Sequence, residues 1–152
     1  MEVPVTIRRV REKELAGVLE MWREAEVTPP SVSDSIEGLT RLIAEPTAIL
    51  LVAEVDERIV ASVIGGWDGW RGNIYRLAVT PDYRRKGIAR RLVKEVSAAL
   101  FAKGAARISA LVEREHPWAI GFWESMREVG YERDAKFARY IADRRGANRG
   151  SD

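Results

Sequence analysis

The sequence predicts an α+β fold, a mixed and mostly antiparallel sheet of about seven strands with about four helices, in the order β-α-α-β-β-β-α-β-α-β-β. Three observations point there. The apolar runs Ala48–Val55 and 59–67 are separated only by Asp56-Glu57-Arg58, a hairpin signal. A third run, 73–79, follows the polar, glycine-containing turn Asp68-Gly69-Trp70-Arg71-Gly72, which makes an antiparallel meander. On either side of it the apolar spacing changes from two to three and four, the period of an amphipathic helix.

Taken in order, residues 3–10 alternate, with Val5 and Ile7 against Thr6 and Arg8, and read as a first strand. Leu15, Val18, Leu19 and Trp22 then share one face of a helix over 12–26, stopped by Thr28-Pro29-Pro30. Asp34 and Glu37 form a capping pair for a second helix with inner face Ile36, Leu39, Leu42 and Ile43, ended by Pro46. After the meander a third helix begins near Gly87. It turns Ile88, Leu92, Val96, Ala99 and Leu100 inward and stops at Lys103-Gly104. Residues 107–112 form the next strand, parallel to 73–79 because a helical crossover joins them. His116 caps and Pro117 opens a fourth helix, where the missing proline N–H costs nothing. Trp118, Phe122, Met126 and Val129 follow at helical spacing, Gly130 closes it, and 131–134 and 137–141 are two short final strands.

A length of 152 residues suits one domain, taken as 1–143, with 144–152 as a flexible tail. A net charge of +2 argues against a strong global attraction to nucleic acid, and no aromatic residues are interleaved in the basic stretch 84–91. With no cysteine there is no disulfide frame or thiolate, and one histidine without clustered carboxylates argues against a metal. No apolar run is long enough to span a membrane and no signal-peptide core is present, so a cytoplasmic location is expected.

The chemistry concentrates in Leu77-Ala78-Val79-Thr80-Pro81-Asp82-Tyr83-Arg84-Arg85-Lys86-Gly87-Ile88-Ala89. A short strand turns here into a helix start whose first N–H groups have no intrahelical partner. Gly87 and Ala89 let a bulky anion approach the backbone, and Arg84, Arg85, Lys86, Arg90 and Arg91 add charge around it. That is the physics of a pyrophosphate seat at a helix N-terminus. No Gly-Lys-Ser/Thr follows and three spaced glycines are missing, which excludes the P-loop and the dinucleotide fingerprint.

The spacing Arg84-x-x-Gly87-x-Ala89 after Leu77-Ala78-Val79, with Pro81 and Tyr83, resembles the acetyl-CoA signature of the GCN5-related N-acetyltransferases, the GNAT superfamily. The element order resembles the GNAT fold over essentially the whole chain. The turn Asp68-Gly69-x-Arg71-Gly72, with Tyr75 and Leu77, is similar to a branch of small bacterial acetyltransferases. The resemblance implies acetyl-CoA as co-substrate, no metal, and an amine acceptor, either a small molecule or a peptide. It leaves a homodimer open. It implies that the pantetheine arm pairs with the backbone of Leu77 and Val79, with Ala78 between them. The pyrophosphate would rest on the N–H groups of Arg85, Lys86, Gly87, Ile88, Ala89 and Arg90, with Arg84 at the family's Arg/Gln position. The Val79 N–H is the implied thioester-carbonyl donor. His116, Ala119 and Trp123 align with cofactor-contacting positions of the fourth helix.

The chain departs from the family in four places, one of them the stretch Ser125–Val129, longer than the family's common pattern after the position of Trp123. His116 stands where many members have Asn, and Trp123 stands where a tyrosine often protonates the leaving thiolate. Leu111 occupies the position of a glutamate in the N-terminal acetyltransferases of ribosomal protein. Glu113, Glu115 and Asp68 are the remaining candidates to receive a proton, Glu113 first. Trp67, Trp70 and Trp123 are candidates for an aromatic wall of the acceptor pocket. The alternative function is a non-catalytic acyl-CoA-binding module of the same fold.

Overall fold

The computed structural model describes residues 4–25, 31–113 and 116–144. It falls into two compact units, Met1–Leu111 and Val112–Asp152.

The first unit holds one sheet in the order β1-β2-β3-β4-β5, formed by Thr6–Arg9, Ala48–Val55, Arg58–Trp67, Gly72–Val79 and Ile108–Ala110. Neighbours are antiparallel except β4 and β5, which are parallel as the helical crossover requires. The β2–β3 hairpin turns on Asp56 and Glu57, both at positive φ (49° and 64°), the two-residue turn whose twist suits paired strands. Three helices belong to this unit: α1 (Leu15–Glu24), α2 (Ile36–Ala44) and α3 (Ile88–Lys103).

Alternation along the strands sorts the helices onto two faces. Leu50 and Val52 of β2, Ile64 of β3 and Ala78 of β4 share a core with Leu15, Val18, Met21 and Trp22 of α1 and Leu39 of α2. The next residue of β3, Gly65, points the opposite way. A Cβ built on it would lie 2.5 Å from Val96 Cγ2 and 3.3 Å from Leu100 Cδ1, so α3 packs directly on bare strand backbone. Ile88, Leu92, Val96 and Leu100 are buried as expected, joined by Val93, while Ala99 is only half-buried.

The entry to α1 is fixed electrostatically. Arg8 of β1 forks onto Glu14 through Nη1–Oε1 (3.0 Å) and Nη2–Oε2 (2.7 Å), and its Nε donates to Glu54 of β2 at 2.9 Å. Hydrogen bonding from Arg8, helped by the Arg11 N–H, holds the Glu14 carboxyl down from 4.5 to about 2 against the opposing cost of burial. A depressed carboxyl stabilises the fold above its unfolded pKa, and that contribution is lost as pH falls from about 4.5 through about 2. Glu14→Gln is therefore expected to cost about 2 kcal/mol near neutrality. The difference from the unaltered protein should close in acid, and thermal melts across that pH range check it.

Several elements differ from their sequence-based limits. The first strand contracts to Thr6–Arg9, and the first helix opens with a 3-10 turn, Glu12–Glu14, before α1. The cap of α2 is Ser35, whose Oγ accepts from Gly38 N at 2.9 Å, rather than Asp34, which is engaged by Arg76. Ile36 is exposed because it precedes the inward stripe, in which Leu39 is buried and Leu42 and Ile43 are half-buried. The stop at 28–30 lies outside the described residues.

The second unit contains α4 (Pro117–Ser125) and a 3-10 turn, Met126–Val129, closed by Gly130 at φ 104°. Stacked and edge-on rings link Trp118, Phe122, Trp123 and Tyr131 in sequence. Stretches 131–134 and 137–141 are not strands, so the described residues hold five strands rather than about seven. Residues 132–144 are exposed throughout, and a strand without a partner or a buried face gains nothing to offset its ordering. Of the expected tail, only Arg144 is described.

Candidate active site

Strand β4 is where the sheet opens. It pairs with β5 only at Gly72↔Ile108, Asn73↔Ser109 and Ile74↔Ala110. Beyond Ile74, among the described residues, no strand lies across the β5-side edge of Tyr75, Arg76, Leu77, Ala78 and Val79. The parting coincides with an irregularity against β3. Ser62 pairs with Ala78 and Ile64 with Tyr75, so Arg76 and Leu77 together face the single residue Val63. This is a β-bulge, and its first residue, Arg76, sits at φ 52°.

The amide directions at the end of β4 follow from one hydrogen bond. Thr80 N–H donates to Val60 O of β3 at 2.9 Å. Alternation along a strand then turns the N–H and C=O of Val79 away from β3, to the unpaired edge. The carbonyl is occupied, because Arg84 Nε donates to it at 2.9 Å. Arg84 Nη2 also donates to Ala25 O, at the end of α1, at 2.7 Å. The Arg84 guanidinium thus joins the ends of two elements, a role its position in the sequence motif did not disclose.

After a 3-10 turn at Pro81–Tyr83 the chain passes through Arg85 at φ 64° and Gly87 at φ 83° into α3. No side chain caps this helix. Arg85, Lys86 and Gly87 are exposed, and a Cβ at Gly87 would meet nothing within 4 Å. Ile88 and Ala89 bury their side chains, so what they offer at this end of the helix is backbone alone. A 16-residue helix with an uncapped, uncrowded N-terminus meets the physical requirements of an anion seat. Of the five basic residues around it, Arg84 is engaged as described, and Arg91 donates to Val5 O at 3.2 Å.

Other expectations fall out differently. Asp68 is a turn residue: its Oδ1 accepts from the N–H groups of Trp70 and Arg71, both at 2.9 Å, which lowers its proton affinity and makes it a poor base. Trp70 is exposed, with the Arg71 guanidinium 4.2 Å above its ring. In the second unit His116 is the N-cap of α4, its Nδ1 accepting from Ala119 N at 3.3 Å, with Pro117 following as expected. Trp123 stands edge-on to Phe122 and Tyr131. Glu113 is exposed, and Glu115 lies outside the described residues. Among those residues no cluster of His, Asp and Glu is arranged to hold a metal, and no helix is long and apolar enough to cross a membrane.

Sequence reasoning missed the residues behind the bulge: Trp22, Asp34, Ser62 and Arg76. The one readable sign was Ser62, a hydroxyl in the middle of an apolar run.

A sheet that splays at β4 and runs straight into an uncapped helix start is the frame that the resemblance implied. The family model described as the acetyltransferase (GNAT) family matches residues 18–130, and the chain belongs to that family. It is similar to an acetyltransferase of Pectobacterium atrosepticum, 34% identical over 120 residues, which is 79% of this chain and 84% of that relative. Its fold is similar to two solved structures. One is a transcriptional regulator from Bacillus halodurans (TM-score 0.74, 20% identity, covering 92% of this chain and 99% of that one). The other is the aminoglycoside N-acetyltransferase AAC(6')-Iy in complex with CoA (TM-score 0.73, 14% identity, 93% and 97%).

Proposed function

We propose that the chain is an acetyl-CoA-dependent N-acetyltransferase, moving an acetyl group onto an amine by direct attack in a ternary complex. The observation that carries this reading is one continuous segment that passes from an open strand edge, after Ile74, into an uncapped helix start at Gly87. An extended pantetheine arm needs backbone groups along its length, and a pyrophosphate needs convergent N–H donors. In this reading Leu77 and Val79 pair with the arm across Ala78. The N–H groups of Arg85, Lys86, Gly87, Ile88, Ala89 and Arg90 receive the pyrophosphate, with Arg85 and Lys86 adding exposed charge. The CoA held by the aminoglycoside N-acetyltransferase of the same fold supports acyl-CoA as the donor. His116, Ala119 and Trp123 enter only through the family likeness.

In the reaction the neutral amine nitrogen bonds to the acetyl carbonyl carbon, the carbon–sulfur bond breaks, and CoA leaves as its thiolate. The Val79 N–H polarises the carbonyl oxygen. The nitrogen gives up its proton to solvent, with Glu113 as the first carboxylate proposed to take it up. Juxtaposition alone supplies roughly 7–11 kcal/mol. A thiol with pKa about 8.5 is a competent leaving group without an acid beside it. The acceptor is a small-molecule amine, a lysine or a peptide N-terminus, and the first has support from the aminoglycoside enzyme named above.

A second reading, an acyl-CoA-binding module without turnover, is favoured by Leu111 and by the indole of Trp123 packed among rings. Incubating the protein with acetyl-CoA and a panel of free amines and N-terminal peptides, while following thiol release, separates the two. Release above the no-amine rate with any acceptor is the expected result. CoA binding with no release across the panel would move the assignment to the binding module. A nucleic-acid site on the same basic run would lose affinity as nearly the fifth power of salt, with about five phosphates neutralised. We expect CoA to bind at physiological salt, with a generic oligonucleotide neither binding nor competing.

A further inference from the structure

We infer that Arg76 is a positioning residue of the acyl-transfer site, clamped by Asp34 and by a Trp22–Ser62 hydrogen-bond chain so that β4 bulges and parts from β5. The inference rests on the acetyl-CoA reading above and adds to it the groups that hold the cleft open.

Arg76 occupies a backbone conformation that a branched-off side chain disfavours, at φ 52°. Such a residue persists only where its surroundings over-determine it. Two clamps do so, one on the main chain and one on the side chain. Ser62, wholly buried, accepts from Trp22 Nε1 at 2.8 Å and donates to the Arg76 carbonyl at 3.2 Å. The hydroxyl sits in an apolar layer with its donor and an acceptor lone pair both used, and the carbonyl it fixes belongs to the bulged residue. The second clamp acts on the side chain. The Arg76 guanidinium forks onto Asp34, Nε to Oδ1 at 3.2 Å and Nη2 to Oδ2, and its carbon lies 5.6 Å from the Trp22 ring centroid. The two charged side chains are only 17% and 10% exposed, so water does little to weaken the fork. Trp22 is common to both clamps.

The place of the bulge gives it a function. The last β4–β5 pair is Ile74↔Ala110, and the bulged residue comes two positions later. A bulge bends its own strand and ends pairing. The clamp therefore acts at the acyl end of the cleft, at Leu77 and Val79, and not at the turn over 85–87 that would seat the pyrophosphate. Losing it should let β4 relax toward regular pairing and disturb the edge that receives the arm, while leaving the helix start intact.

That difference is measurable with two ligands. Titration calorimetry on the full chain should use acetyl-CoA and, separately, 3′-phosphoadenosine 5′-diphosphate, the nucleotide half without the arm. In Asp34→Asn, which keeps size and shape, acetyl-CoA should weaken about ten-fold, the effect of one charge-assisted hydrogen bond. The nucleotide half should bind within about two-fold of the unaltered protein, and Ser62→Ala should give the same split through the other clamp. Should Asp34→Asn fail to fold, Arg76→Lys takes its place, keeping the charge and losing the fork. Acetyl-CoA affinity unchanged in the folded variants overturns the inference. So does an equal loss for both ligands, the sign of general loosening. If the unaltered protein binds no acetyl-CoA, the acetyl-CoA reading itself fails, and that is seen before any variant is made.

Discussion

Gly87→Glu is expected to abolish CoA binding while the protein remains folded. The position is exposed and a Cβ there meets nothing within 4 Å, so the new side chain displaces no protein atom. Its backbone cost is real, because φ is 83° and an L-residue in the left-handed region loses about 1–2 kcal/mol. Gly87→Ala carries the same cost without a charge and serves as the reference. What separates Glu from Ala is a carboxylate placed at the helix start that would receive a pyrophosphate. Two like charges 4 Å apart repel by about 4 kcal/mol at an effective dielectric of 20, which is about three decades of affinity. Calorimetry should therefore find Gly87→Ala weakened modestly and Gly87→Glu below detection. Equal affinities for the two variants would remove the pyrophosphate from this helix.

The largest stability effect is expected one layer away, at Gly65. Its missing side chain is what allows α3 to lie on β3: a Cβ would come within 2.5 Å of Val96 Cγ2, and Val96 and Leu100 are both fully buried. The stiff, β-branched Val96 has no open side to rotate into. Gly65→Val should therefore cost about 3 kcal/mol or more, lowering the melting temperature by roughly 10 °C in a chain of this size. The adjacent Gly66 gives the internal contrast, since a Cβ there meets nothing within 4 Å. Gly65→Ala should melt well below Gly66→Ala. Coincident melts would mean that α3 does not rest on β3 as described.

These two glycines show which parts of the molecule were legible in its sequence. The uncapped helix start was readable because it is local: a strand, a turn, a glycine and a run of basic residues lie within one short stretch, and orphan N–H groups are a property of any helix start. The meander and the crossover were readable for the same reason, as was the His116 cap. Local pattern could not tell Gly65 from Gly66, because the difference is the neighbour each one faces. Nor could it find Arg76, whose positive φ comes from Ser62, Trp22 and Asp34, which lie 14, 54 and 42 positions away in the chain. Asp34 looked like a helix cap because Asp before an apolar helix usually is one; the tertiary fork with Arg76 took it, and Ser35 took the cap. Stretches 131–134 and 137–141 read as two short final strands, and a stretch without a partner or a buried face does not make a strand.

The arginine strut at Arg84 has a consequence for solubility. A sheet with a bare edge is a template: its exposed amides and carbonyls invite a strand from another molecule, and such edges seed aggregation. Among the described residues no strand pairs with the edge beyond Ile74, and two features spoil it as a template. The bulge at Arg76 breaks the even spacing of its polar groups, and Arg84 occupies the Val79 carbonyl, leaving that residue able to donate but not to exchange a pair of hydrogen bonds. A polypeptide strand needs both partners at alternate residues; a ligand that needs only the donor does not. At Val79, then, a ligand that needs only the N–H donor finds one, whereas a pairing strand would lack the carbonyl that Arg84 holds.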